Sequence, residues 1–200
     1  TVCQQFVDDH YAAYDAIGVR IQHLSPTSEY VYFTAKVAGV NFNGATSVTP
    51  IADDLNGQVL NNVNNVTGVK RMDGITLSGT SGGATVTCSG HSSLITFDTS
   101  LNQTAANFVA NNAAWYLARG IVLTRVNSTL FFEAAVAGVD FTGSTTITNV
   151  IANLSGSPYN VRANVVAVAR QDSVLFSGTK GIMNITCNGL TRPAGFKIGL

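Results

Sequence analysis

Phe33-Thr34-Ala35-Lys36-Val37-Ala38-Gly39-Val40-Asn41-Phe42-Asn43-Gly44 returns 99 residues later as Phe132-Glu133-Ala134-Ala135-Val136-Ala137-Gly138-Val139-Asp140-Phe141-Thr142-Gly143. The same offset carries Ser78-Gly79-Thr80 onto Ser177-Gly178-Thr179, and Thr87-Cys88-Ser89-Gly90 onto Thr186-Cys187-Asn188-Gly189, without a gap. Self-similarity at a fixed period marks a duplicated structural unit. Nearer the start the offset is 102, matching Phe6-Val7 to Phe108-Val109, Tyr14 to Tyr116 and Gly18 to Gly120. The three extra residues of the first copy fall around Ser25-Pro26-Thr27-Ser28, a turn cluster where insertion costs little.

Each copy opens on a helical pattern. Phe108, Trp115 and Ala118 recur near helical spacing, Thr104 is expected as the N-cap, and Gly120 is placed to end the helix in a left-handed conformation. Phe6, Ala13, Tyr14 and Ile17 before Gly18 repeat the pattern. Period-two alternation follows, with Val31, Phe33, Ala35 and Val37 expected in the core, as are Leu130, Phe132, Ala134 and Val136. Ile75 and Leu77 answer to Val174 and Phe176, and Ala84, Val86 and Cys88 answer to Met183, Ile185 and Cys187, which predicts hairpins around the Gly-Thr-x-Gly turns. A last strand is expected through Ile95 and Phe97, and through Ala194 and Phe196, where Arg192-Pro193-Ala194-Gly195 makes a poor interior strand. The stretches Asn41 to Thr49 and Asn56 to Asn65 are predicted as long polar loops. The expected fold is therefore mainly β (α+β): two tandem copies of a module of about 100 residues, 1–100 and 101–200. Each would be one helix packed on a small antiparallel sheet or β-sandwich, with the boundary near Thr99 to Gln103.

Charged residues make up 11% of the chain, against about 25% in an average protein, so its polar surface must be hydroxyl- and amide-rich. Eleven basic and eleven acidic side chains cancel, which leaves no net charge for a phosphate backbone, and nucleic acid is not expected as a partner. Low charge weakens self-repulsion and suits a surface covered by neighbours. No apolar run approaches the ~20 residues of a membrane helix, so membrane insertion is not expected. The start Thr1-Val2-Cys3-Gln4-Gln5 lacks signal-peptide features, and the expectation is a leader already removed or none.

Gly79-Thr80-Ser81-Gly82-Gly83 matches the nucleophile elbow Gly-x-Ser-x-Gly, but the second copy keeps Gly178 and Gly181 and replaces Ser81 with Lys180, as a turn allows and a nucleophile does not. His10, His23 and His91 have no metal-ligand spacing, and no metal or other cofactor is expected. Cys88 and Cys187 share one inward position and are expected as small buried residues, while Cys3 has no counterpart. Asp53 and Asp54 lack the closing glutamate of a calcium loop, and the copy has Ala152-Asn153 there. Asn65-Val66-Thr67 and four similar triplets fit the glycosylation pattern, as expected of this composition. No catalytic, cofactor-binding or metal residue is assigned.

Ile75-Thr76-Leu77-Ser78-Gly79-Thr80-Ser81-Gly82, then Val86-Thr87-Cys88-Ser89-Gly90, then Thr96-Phe97 before a helix holding Ala105-Ala106-Asn107-Phe108-Val109, resembles the tandem β modules of tailed-bacteriophage virion structural proteins and of some bacterial surface proteins. The resemblance implies a non-enzymatic structural subunit located in a virion, a capsid decoration or tail protein. Its partners would be itself, as a homo-oligomer, and other structural proteins. The alternative it leaves open is a secreted bacterial adhesin or carbohydrate-binding module, with Tyr30, Tyr32 and Tyr159 as aromatic platforms for a glycan.

Overall fold

The computed structural model describes residues 1–195. The chain runs through α1 (Val2–Ala16), β1 (Val19–Gln22), β2 (Tyr30–Ala35), β3 (Ser47–Asp53), β4 (Asn56–Val63), β5 (Met72–Ser78), β6 (Gly82–Cys88) and β7 (His91–Thr96). It continues through α2 (Leu101–Leu117), β8 (Ile121–Val126), β9 (Thr129–Ala134), β10 (Thr146–Ala152), β11 (Ser155–Arg162), β12 (Gln171–Ser177), β13 (Gly181–Cys187) and β14 (Leu190–Gly195). The fold is mainly β, and all its strand pairs are antiparallel.

The compact units do not follow the boundary expected near Thr99 to Gln103. One unit is Thr1–Thr67 with 167–195, and the other is Gly68–Val166. The domains 1–100 and 101–200 are thus corrected, and the reason is strand pairing. In the first unit β12 enters a four-stranded sheet β1-β2-β12-β4, and β13 is the middle strand of a three-stranded sheet β14-β13-β3. In the second, β5 is central in β11-β5-β9-β8 and β6 is central in β10-β6-β7. The last three strands of each sequence copy complete the sheets begun by the other.

In the first unit the two sheets face each other over one core. Val31, Phe33 and Ala35 from β2, Val174 and Phe176 from β12, and Met183, Ile185 and Cys187 from β13 are all buried in it. Each fully buried aliphatic or aromatic side chain of this kind contributes about 2 kcal/mol. Helix α1 packs against β1 and β14, the edge strands of the two sheets. It starts where the Thr1 hydroxyl accepts from the Gln4 N–H, and it buries Cys3, Phe6 and Tyr14 on one face. The Tyr14 hydroxyl donates to the carbonyls of Ile185 and Leu190 at 3.3 Å, which satisfies a phenol that burial would otherwise penalise.

The second unit repeats this arrangement with Ile75, Leu77, Ala84, Val86, Cys88, Leu130, Phe132 and Tyr116 in its core. Its helix α2 is capped by Ser100, whose hydroxyl accepts from the Gln103 N–H at 3.2 Å. Thr104, expected as the cap, lies one turn inside, buried, where its hydroxyl donates to the Ser100 carbonyl and accepts from the Asp98 N–H. Gly18 and Gly120 adopt positive φ after the two helices, as the sequence predicts.

Three further expectations change. The turns Gly79–Ser81 and Gly178–Lys180 carry the chain from one sheet to the other, so they are arches and not hairpins. The strands after the arches form hairpins instead, β6–β7 and β13–β14, turned by Ser89-Gly90 and Asn188-Gly189 with positive φ at both residues, as a type I′ turn demands. The stretches predicted as polar loops take in the start of β3, Ser47 to Thr49, and the whole of β4. Val37 and Val136 lie past the ends of their strands and are 61% and 60% exposed. The expected strand through Ala194 is β14, while Phe196 lies outside the described residues.

Candidate binding surface

The most highly organised polar group in each unit is one that no motif announced. Arg71 grips Asp73 with two bonds, Nε to Oδ1 at 3.1 Å and Nη2 to Oδ2 at 2.9 Å. Thr145 Oγ1 donates to the same carboxylate at 2.6 Å and Asn160 Nδ2 at 2.8 Å. The third arm of the guanidinium reaches Asp140 at 2.8 Å while its Cζ lies 5.0 Å from the centroid of the Phe141 ring. Arg170, Asp172, Thr46, Asn41 and Phe42 repeat the cluster in the first unit. Burial alone would raise the Asp73 pKa, but the bonds from Arg71, Thr145 and Asn160 outweigh it and hold the carboxyl below its ordinary value. Its acceptor sites are occupied, so it acts as a clamp between the start of a central strand and the loop before β10. The signal was present in the sequence: Arg-x-Asp at 71–73 recurs at 170–172 in a chain with few charges.

Neighbouring thiols are equally quiet. Burial pushes Cys88 up to about 11 and Cys187 up to about 12, and neither is in a disulfide. Both are core residues, as expected. At pH 8 the native protein should react with a thiol reagent far more slowly than the urea-unfolded chain, a comparison that a colorimetric thiol assay makes directly.

Ser81 sits in the arch between β5 and β6, where its N–H and hydroxyl both point at Asn153 Oδ1, at 3.0 and 3.4 Å. Asp54 plays the part of Asn153 in the other unit, accepting from the N–H groups of Thr179 and Lys180 at 3.0 and 2.8 Å. These bonds from Lys180 and Thr179 lower its pKa. His10 bonds the Pro193 carbonyl and His23 bonds the Ser28 carbonyl, while His91 begins β7. Among the described residues no group of three His, Cys, Asp or Glu side chains could hold a metal ion.

The surface offers two features instead. The first is the outer face of each four-stranded sheet. In the first unit Tyr30 and Tyr32 stack with ring centroids 6.1 Å apart, next to Leu175 on the adjoining β12, with Leu60 of β4 one strand further on. In the second, Phe131 and Tyr159 flank Gly74, so the tyrosines read from sequence as aromatic platforms lie on strands, β2 and β11, and are divided between the units.

The second feature is a set of sheet edges, which expose unpaired N–H and C=O groups and are usually guarded. Helix α1 flanks β1 and β14, and α2 flanks β7 and β8. Pro50 interrupts the edge strand β3, Pro158 interrupts β11, and a bulge between Asn149 and Ile151 breaks β10. Three of the chain's four prolines lie on edge strands, since Pro193 is in β14. Among the described residues β4 is the least guarded of these edges: Asn-Gly-Gln-Val-Leu-Asn-Asn-Val carries neither charge nor proline, and its bulge, at Asn62, comes only after the six residues Asn56 to Asn61 have paired with β12, whereas that of β10 follows four paired residues. No protein family, curated protein or solved structure matches the chain.

Proposed function

We propose that the chain is a non-enzymatic structural subunit that assembles by pairing the open edge of β4 with a second copy of itself. A virion, in the role of capsid decoration or tail protein, is the assembly that its composition suits best. The observation that carries this reading is the least guarded of these edges among the described residues, a run of six residues of β4 with no charge, proline or bulge and no helix beside it. The low charge of the chain supports it, because little electrostatic repulsion opposes close packing of like surfaces.

Val59 of β4 occupies the register position that Pro158 holds in β11, each facing the central strand of its sheet, at Val174 and Ile75. The fold accepts a proline there. Val59→Pro is therefore expected to leave the circular dichroism spectrum intact and to abolish concentration-dependent association in light scattering. A native chain that stays monomeric at millimolar concentration, or a V59P chain that associates equally well, rejects the reading.

A second reading, an adhesin or carbohydrate-binding module, is favoured by the stacked Tyr30–Tyr32 pair on an open sheet face. Glycan-array binding lost in Tyr30→Ala and Tyr32→Ala would favour it over assembly.

A further inference from the structure

The two units share one register: Thr146 faces Thr87 as Ser47 faces Thr186, and Ser155 faces Ser78 as Asn56 faces Ser177. Hydrogen bonding alone would let β4 take β5 of its own copy and β11 take β12. Backbone geometry does not choose, so side chains must.

We propose that the side-chain pairs Tyr159–Gly74, Leu60–Ser173 and Asp53–Lys180 form a pairing code that makes the two sequence copies exchange their last three strands. This inference does not depend on the assembly reading. Tyr159 lies directly opposite Gly74, and its ring covers the glycine so closely that a Cβ there would sit 2.7 Å from Tyr159 Cζ and 2.9 Å from the hydroxyl oxygen. The counterpart of Gly74 is Ser173, which faces Leu60 and is buried. If each copy kept its own strands, Ser173 would lie under the Tyr159 ring and drive it outward, and Leu60 would face a glycine with nothing to cover. Exchange places the large ring over the small residue and the smaller leucine over serine, the kind of cross-strand complementarity that fixes sheet partners.

The outer face and the arches add to this selection. Thr76 and Thr129 face each other with hydroxyl oxygens 3.1 Å apart, while Leu175 faces Tyr30. Own-copy pairing would set Thr76 against Tyr30 and Leu175 against Thr129, mismatching both. At the arch, Lys180 Nζ lies 3.5 Å from Asp53 Oδ1, whereas the other unit has Ser81 and Ala152 at those positions. That ion pair is open to solvent and adds little. The packing pairs carry most of the selection.

The test uses cross-strand disulfides in the full chain. Thr49 lies opposite Asn184, and own-copy pairing would put it opposite Thr85 instead. Under mild oxidation T49C/N184C is expected to crosslink, within a chain or between chains, at least about tenfold more than T49C/T85C, the ratio given by a preference of 1.4 kcal/mol. Moving the code with G74S, S173G, S81K and K180S should transfer crosslinking from position 184 to position 85. Efficient T49C/T85C crosslinking in the native background, or an unmoved pattern in the recoded chain, overturns the proposal. Should the recoded chain fail to fold, G74S alone is expected to lower the melting temperature, with recovery in G74S/Y159L. Absence of that recovery overturns it as well.

Discussion

Asp73→Ala is expected to destabilise the protein by about 3 kcal/mol, read as a lower urea midpoint, because it removes two of the three bonds of a guanidinium that is four-fifths buried, leaving it only Asp140, and takes away the acceptor of Thr145 and Asn160. The cost comes from the partner left behind, so it should shrink sharply when both charges go. Arg71→Met combined with Asp73→Leu is expected to lie much closer to the native stability than Asp73→Ala alone. The pH dependence has a definite sign. The Asp73 carboxyl is held below its ordinary value in the folded state, so the unfolded chain takes up its proton first as the solution is acidified. Its contribution is complete above the unfolded pKa of about 4 and disappears as pH falls through the lower, folded value. Native protein should therefore lose stability on acidification below about pH 4 more steeply than Asp73→Ala, as urea titrations at a series of pH values will measure.

The parts of the fold legible in the sequence were those with one wet and one dry face. Phe33 and Phe132 alternate with half-buried neighbours, and the paired cysteine positions point inward in both copies. Strands β3 and β4 escaped because edge strands wet on both faces carry no alternation: most residues of Asn56–Val63 are exposed or half-exposed whichever way they point. The exchange of strands escaped for a different reason. Each copy contains every strand needed to complete its own sheets, and periodicity tells which residues are buried, not which copy buries them. What distinguishes the partners is a handful of residues that differ between copies, such as Gly74 against Ser173 and Tyr159 against Leu60. Those differences look like ordinary drift until the registers are known. The Arg-x-Asp clamp was written plainly enough at 71–73 and 170–172, but a buried ion pair has no spacing rule that separates it from a solvated one.

The Gly-x-Ser-x-Gly resemblance at 79–83 leads to the other large effect, since the structure reassigns the importance of that motif from its serine to its glycines. Gly178 has φ +104°, a conformation that side chains rarely adopt, and a Cβ on it would come within 2.2 Å of the Asp54 carbonyl oxygen. Gly79 has the same φ and would meet the Asn153 carbonyl oxygen at 2.3 Å. The β3–β4 and β10–β11 turns also pass between sheets, so each unit has two arches, and one rests its backbone on the other where no flexible side chain can yield. Gly178→Ala is expected to cost more than about 3 kcal/mol, combining backbone strain with separation of the arches and loss of the Asp54 bonds to Thr179 and Lys180. Gly120→Ala is the matched control, because its φ is also positive but nothing lies within 4 Å of the added carbon. Only the conformational term remains there, about 1 kcal/mol. Ser81→Ala removes one 3.4 Å contact in an exposed turn and should change stability by less than about 0.5 kcal/mol. Equilibrium urea unfolding of the three variants should rank them in that order. A Gly178→Ala chain as stable as Gly120→Ala would mean that the arches can part without loss, and that their contact does not hold the two sheets together.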